Sequence, residues 1–566
     1  MSSVPSIQPT ASLKQAALNV LQVFVLCGIF AAAVFGYLMN TSGWLTMIPG
    51  DLGDARFNSV ILEHLYQWVK GVVPKLWSPR FFFPFENTLA FSDSHFGSGW
   101  FYVAFRFLGL PREEAYLGWF LLGAVLNFWV CWYVLRRLGF SVSASAFGAF
   151  VFAFALPALH KENHAQLVYR FAIPLAVAAW YRFLTAREAA SAIQTIIWVC
   201  MQFLCSIYVG VFLAYLLIAM LLAQLLLSIG QKSEPRLRAP WFADRTQLRS
   251  LKGLFAALGA ILLLVVVLFT LRRYQHVAGE YGFTRPLSEL FSMLPRLGSY
   301  LLADQSGLTG SLGRSLTDIP MRHEQQMFIG VGAGLLLIIG LVRTWTSKTQ
   351  QFAECYLARV MSISLVLLVL VTLCVGDWSV YAWLAQVPGV SSIRAVSRIA
   401  LVMLFPAAVL VAFGIDWVSR STSLPNYGKT ACLLIAAVVL TTESFYYQPH
   451  HTPMQSWRAR QDQLGERSGA VGKDAVLFVT QPKAEPFFMT EIDAMIYAQN
   501  RHIPTLNGYS GNTPPRYTYP DPCLPVEMRI DSYIALRGMS PAKRQHLVDN
   551  LHVVTLEPCS KPDDKK

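Results

Sequence analysis

Apolar and polar residues follow one another in blocks of roughly 15 to 22, far longer than the alternation of a soluble helix or strand. Residues 17–38 are apolar and long enough to cross a hydrocarbon layer of about 30 Å. Similar stretches recur at 115–135, 145–159, 168–184, 193–208, 211–227, 254–271, 328–341, 361–375, 399–418 and 431–445. The pattern predicts a polytopic α-helical membrane protein with about eleven transmembrane helices. Residues 100–110 are apolar but too short to span, and read as re-entrant or interfacial. Residues 61–69 have helical apolar spacing and are expected to lie along the interface.

The charges between these blocks give an orientation. Arg136 and Arg137, then Arg182 and Arg187, close two stretches. The 231–252 loop holds Lys232, Arg236, Arg238, Arg245, Arg249 and Lys252 against Glu234 and Asp244. Such clusters mark cytoplasmic ends. The first stretch then reads as an uncleaved signal anchor with its N-terminus in the cytoplasm. Residues 39–98 and 272–326 become two large external loops of a transmembrane domain covering 1–448. From Pro449 the chain turns polar. Strand-like runs at 475–479 and 553–556 and helix-like patterns at 490–499 and 541–551 predict a small external α/β domain over 449–566. Ser540 followed by Pro541 is a helix-start signal.

Composition agrees with this reading. Charged residues make up 14% of the chain and hydrophobic ones 54%, where a soluble domain carries about 25% charge. The mean hydropathy is +0.43. The net charge of +13 is explained by basic loops between spans, so nucleic acid is set aside as a partner. Cys27, Cys131, Cys200, Cys205, Cys374 and Cys432 fall in apolar stretches and act as small hydrophobes. Cys523 and Cys559 lie in the polar region, where they are either a disulfide pair or two unrelated thiols. These features place the protein in a cell inner membrane, with its C-terminal domain on the periplasmic side.

Carboxylates beside a membrane are costly and therefore candidates for function. Asp51 and Asp54, in P-G-D-L-G-D-A-R-F-N, share one face if the loop enters a helix there. They can act as a base toward a hydroxyl, or simply cap the helix. His160, Glu162 and His164 share the turn H-K-E-N-H-A-Q and can meet a metal or a diphosphate, or be ordinary interfacial polar residues. Asp93 and His95 either line a pocket or belong to an Asx turn. Arg394 and Arg398, four apart before a span, can clamp a phosphate or snorkel to headgroups. Tyr274, His276, Glu280 and Arg285 are candidates for an acceptor side.

The sequence resembles the GT-C superfamily of integral-membrane glycosyltransferases. The carrying features are G-D-L-G-D-A-R-F-N after the first span, F-F-F-P-F-E-N-T-L-A-F-S-D at 81–93, and H-K-E-N-H-A-Q-L between two spans. E-Q-Q-M-F-I-G at 324–330, S-I-R-A-V-S-R at 392–398 and N-G-Y-S-G at 507–511 add to it. The resemblance implies transfer of a sugar from a polyprenyl-phosphate donor to a glycan, lipid or protein acceptor, with inversion at the anomeric carbon. It implies Asp54 as the catalytic base, with Asp51 supporting it or associated with a metal. Some members hold a divalent cation such as Mg or Mn through such carboxylates and others need none, so the cofactor stays open. Two other classes compete: a transporter or flippase of lipid-linked saccharides, and a non-catalytic membrane assembly factor. Transporters carry ionisable or broken-helix sites near the bilayer midplane. Here the charges gather in the loops, which favours the enzyme.

Overall fold

The computed structural model describes residues 13–229, 250–347, 354–387, 390, 393–421, 425–480, 485–517 and 526–556, with side chains from residue 20. Cys523, Cys559 and most of the basic 231–252 loop lie outside the described residues. Among the described residues nine helices are long and apolar enough to cross a membrane. They are Val20–Thr41, Arg112–Arg137, Val142–Leu159, Ala165–Ala186, Ile207–Ile229, Leu251–Tyr281, Cys355–Thr372, Val396–Arg420 and Asn426–Phe445. Two shorter apolar helices, Ala189–Cys205 and Val331–Thr346, fall on the other two predicted stretches.

The bundle is built around the helix Ala400–Arg420, whose residues are buried from Ala400 to Asp416. Small residues let its neighbours approach. A Cβ on Gly340 would stand 2.1 Å from the Leu410 carbonyl oxygen, and one on Gly148 would stand 2.7 Å from that of Ala408. A Cβ on Gly414 would stand 3.1 Å from the Gly340 backbone. Close backbone approach through glycine is how membrane helices gain packing where lipid supplies no hydrophobic drive.

Polar segments collect at the two ends of the bundle. At one end Arg420 pairs with Glu354 and Asp416, and Asp416 accepts from the Ser141 amide at 3.0 Å. At the other end the two large loops meet the turn at 160–164 and the residues after 446. There the strand Met47–Pro49 pairs antiparallel with His451–Pro453, which ties the first loop to the start of the C-terminal region.

Two expectations change. The helix predicted to lie along the interface begins earlier, at Asp54, runs to Val69, and is buried on both faces. Ala55 and Leu62 pack with Tyr102 and Trp119, while Phe57, Val60 and Ile61 pack with Ile492, Met495 and Ile496 of the C-terminal region. Its polar groups are satisfied too: Arg56 pairs with Asp493, and Glu63 accepts from Tyr102 and Arg106. The second change is that the span predicted at 254–271 extends to Tyr281, because Val277 and Tyr281 bury themselves in the aromatic cluster around Phe91. The short helix Gly99–Phe107 leaves Trp100 and Phe107 exposed.

After 449 the chain forms a small α/β unit. Val476–Thr480 and Leu551–Thr555 pair in parallel, with helices Met454–Ser468, Phe487–Arg501, Glu527–Arg537 and Pro541–Asp549 around them. The unbroken apolar run Val476 to Val479 is explained by burial on both faces. Leu477 and Val479 join one cluster, Val476 and Phe478 another. The aromatic run at 81–85 is drawn to this unit: Phe82 donates its amide to Asn507 and Phe83 to Thr505, each at 2.9 Å. Replacing Gly340 with Leu would force the central helices apart. We expect a cost of about 1–3 kcal/mol or more from overpacking, read as a lower thermal midpoint of the detergent-solubilised protein.

Candidate active site

The segment Pro49 to Asp54 is a tight turn from strand to helix. Gly50 has φ of +95°, and a Cβ there would meet Ala55 at 2.7 Å, so glycine is required. Asp51 turns back and accepts the Gly53 amide at 3.0 Å. Asp51 is thus held in a turn of its own loop, the helix having no side-chain cap, and it does not line the cavity. Asp54, the first residue of its helix, is left free to face it, where the helix N-terminus favours an anion.

The cavity has a volume of about 410 Å³ and sits at the polar end of the bundle. Asp54 Oδ1 accepts from the Tyr509 hydroxyl at 2.7 Å, and Oδ2 lies 3.3 Å from His164 Nδ1. His164 Nε2 lies 3.0 Å from Glu324 Oε1. Glu324 in turn accepts both Nη2 of Arg398 at 2.6 Å and Nε at 3.2 Å, and Lys161 Nζ at 2.9 Å. A continuous row thus runs from Tyr509 through Asp54, His164 and Glu324 to two buried cations. Burial pushes the Asp54 carboxyl up, but His164, the Tyr509 hydroxyl and Arg398 outweigh it and hold the group below its ordinary value. Glu324 is also subject to desolvation, yet Arg398, Lys161 and His164 keep it well below the usual range.

The other proposed site residues divide. Arg394 and Arg398 both line the cavity. Arg394 pairs with Glu289 at 2.6 Å, and Arg398 stacks over Tyr208, 5.0 Å from the ring centre. Asp93 lines it as well, and its carboxylate accepts from the Ser206 hydroxyl and the Ile207 amide, anchoring the helix Ile207–Ile229. Burial raises its carboxyl above the ordinary value despite these bonds.

His160, Glu162 and His95 do not line the cavity. His160 and Glu162 leave the cavity to His164 and pack the other way. His160 bonds Gln305 at 2.7 Å and meets the Tyr447 ring, while Glu162 accepts the His450 amide at 2.8 Å. A short turn cannot aim all three side chains at one point. His95 is buried behind the wall, 2.7 Å from Asn58 Oδ1, with its imidazole pushed by burial down to about 3.

Among the described residues no group of three or more His, Cys, Asp or Glu side chains converges as metal ligands would.

Sequence reasoning passed over Lys161, Glu324 and Tyr509 as site residues. The available signal was charge: a lysine and a glutamate beside spans need partners. Tyr509 reaches the cavity because Asn507 locks its segment to Val479 and Gly508 sits flush on Phe82, where a Cβ would stand 2.2 Å from the ring. Arg285 fastens the same segment, donating to Gly511 O at 3.0 Å and Asn512 Oδ1 at 2.8 Å.

Fold and site together define a polytopic membrane protein whose polar end roofs a cavity holding a carboxylate–imidazole–carboxylate row. The chain belongs to the family described as Domain of unknown function (DUF6311), whose model matches residues 20–442. No curated protein matches the sequence. The structure is similar to that of arabinofuranosyltransferase AftD from Mycobacteria (14% identity, TM-score 0.45). That alignment covers 81% of this chain and 29% of AftD, so the chain spans less than a third of that protein's length. It is also similar to ArnT from Cupriavidus metallidurans in the apo state (12% identity, TM-score 0.39, 95% of each chain). The same holds for ArnT bound to undecaprenyl phosphate (10% identity, TM-score 0.37, 94% of this chain and 95% of ArnT).

Replacing Glu324 with Gln would leave Arg398 and Lys161 buried without an anion, at a cost of about 3–5 kcal/mol. The native Glu324 value is depressed, so its stabilisation is present at neutral pH and is lost only as pH falls below the ordinary carboxylate range. Thermal unfolding against pH should show the variant destabilised at pH 7 and less sensitive to acid than the native protein.

Proposed function

We propose that the protein is a membrane glycosyltransferase that moves a sugar from a polyprenyl-phosphate donor to a hydroxyl of a cell-envelope acceptor. The observation that carries this reading is Asp54, ionised and aimed into a cavity that also presents Arg394 and Arg398. In the proposed step the acceptor oxygen bonds to the anomeric carbon as the bond from that carbon to the phosphate oxygen breaks. The hydroxyl proton passes to Asp54, and the departing phosphate gains negative charge beside the arginines. Direct displacement inverts the anomeric centre.

A carboxylate held below its usual range is a weak base but is always ready. It suits proton removal that keeps pace with bond formation, when the hydroxyl is becoming acidic. Arg136, Arg137, Arg182 and Arg187 at the far end of the bundle support placing that end in the cytoplasm and the cavity outside.

Membranes carrying Asp54→Asn, supplied with labelled polyprenyl-phosphate sugars, should transfer about 10²–10⁴-fold more slowly than wild type. Transfer at the wild-type rate would remove Asp54 from the chemistry. Accumulation of lipid-linked sugar on the cytoplasmic face of a deletion strain, with no transfer from any donor, would favour a flippase.

Tyr509→Phe removes a hydrogen bond that lowers the Asp54 value. The acidic limb of the kcat/KM profile should therefore move to higher pH while the rate at neutral pH changes less. An unmoved limb would mean that Asp54 is not the titrating base.

A further inference from the structure

At the end of the bundle opposite the cavity, three helices leave a groove of about 500 Å³. Its floor is one face of Ala172–Ala186, where Leu175, Ala178 and Arg182 follow at helical spacing. Ala178 is the small residue of this floor, and a longer side chain there would intrude on the groove. Arg137, the last residue of Arg112–Arg137, stands on one wall. Gln194 and Trp198 of Ala189–Cys205 stand on the other. The lower part is apolar and the rim is cationic.

Both arginines lie at or within one turn of the end of a span, and the ends of spans are where a bilayer presents its headgroups. Arg182 is steadied by Gln194, which accepts its Nη2 at 3.1 Å, so its guanidinium is held at the rim. Among the described residues neither Arg137 nor Arg182 has a carboxylate partner. This contrasts with the cavity arginines, each of which is paired with a glutamate. Two uncompensated positive charges above an apolar trough match an amphiphile with an anionic head and a hydrocarbon tail.

We propose that this groove binds one anionic phospholipid, its phosphodiester held by Arg137 and Arg182 and an acyl chain laid against Leu175, Ala178 and Trp198. The site is independent of the transferase reading and shares no residue with the cavity. A lipid seated there bridges three helices that otherwise leave a gap, and so links membrane composition to bundle stability.

The test uses the full chain in detergent, offered phosphatidylglycerol or phosphatidylcholine with the same acyl chains, and counts retained lipid by native mass spectrometry. One phosphatidylglycerol should be retained in preference to phosphatidylcholine. Each arginine near an anionic headgroup contributes about fivefold, so Arg137→Gln with Arg182→Gln should lower phosphatidylglycerol retention about thirtyfold and leave phosphatidylcholine retention unchanged.

Ala178→Leu should abolish retention although both arginines remain. If the double variant does not give a cooperative melt, Arg137→Gln alone, exposed and without a carboxylate partner among the described residues, should show the fivefold loss. Equal retention of both lipids would overturn the proposal and leave ordinary snorkelling to the bilayer. So would wild-type retention in the variants, or inorganic phosphate stabilising the protein as much as phosphatidylglycerol.

Discussion

The site depends on one buried ionic contact, that of Glu324 with Arg398 and Lys161. The three side chains are 4–7% exposed at the edge of the bundle, where an unpaired charge would be strongly disfavoured. Because the contact takes one residue from the turn after Leu159, one from the loop before Val331 and one from the entry to the central helix, it fixes three segments at once. His164 is then held against Glu324 on one side, and its other nitrogen meets Asp54. The position of Asp54 is thus set by a charge-balance requirement some distance from it.

The C-terminal region is part of the same construction. Residues 80–83 of the first loop bond to the backbone of Thr505 and Asn507, and the region's helix Phe487–Arg501 is bonded to Asp54–Val69 through Arg56, Gln67 and Gln499. Tyr509 is carried into the cavity on this framework. The segment between two spans and the polar terminal unit together form a wall that neither could make alone.

Asp51 and Asp54 illustrate how adjacent carboxylates acquire different roles. The Gly50 turn bends the chain so that Asp51 faces the backbone of its own loop, while Asp54 opens the helix and faces outward. A similar division separates His164 from His160 and Glu162. His160 and His164, four apart, would share a face on a helix, but across a turn they do not, and contacts with Tyr447 hold His160 and Glu162.

Much of the architecture was written in the sequence. The hydrophobic effect and the need to satisfy every backbone polar group in lipid leave helices as the only outcome for eleven long apolar stretches. Basic residues at their ends order the two faces. Local chemistry also marked Asp54, Arg394 and Arg398 as candidates, because ionisable groups beside hydrocarbon are rarely there without cause. Which of them converge was decided by tertiary structure alone. Glu324 and Tyr509 are 270 and 455 residues away from Asp54 in sequence, by subtraction of their numbers. No periodicity or spacing encodes a contact across that separation. It arises only when helix packing and charge pairing fold the loops over one cavity.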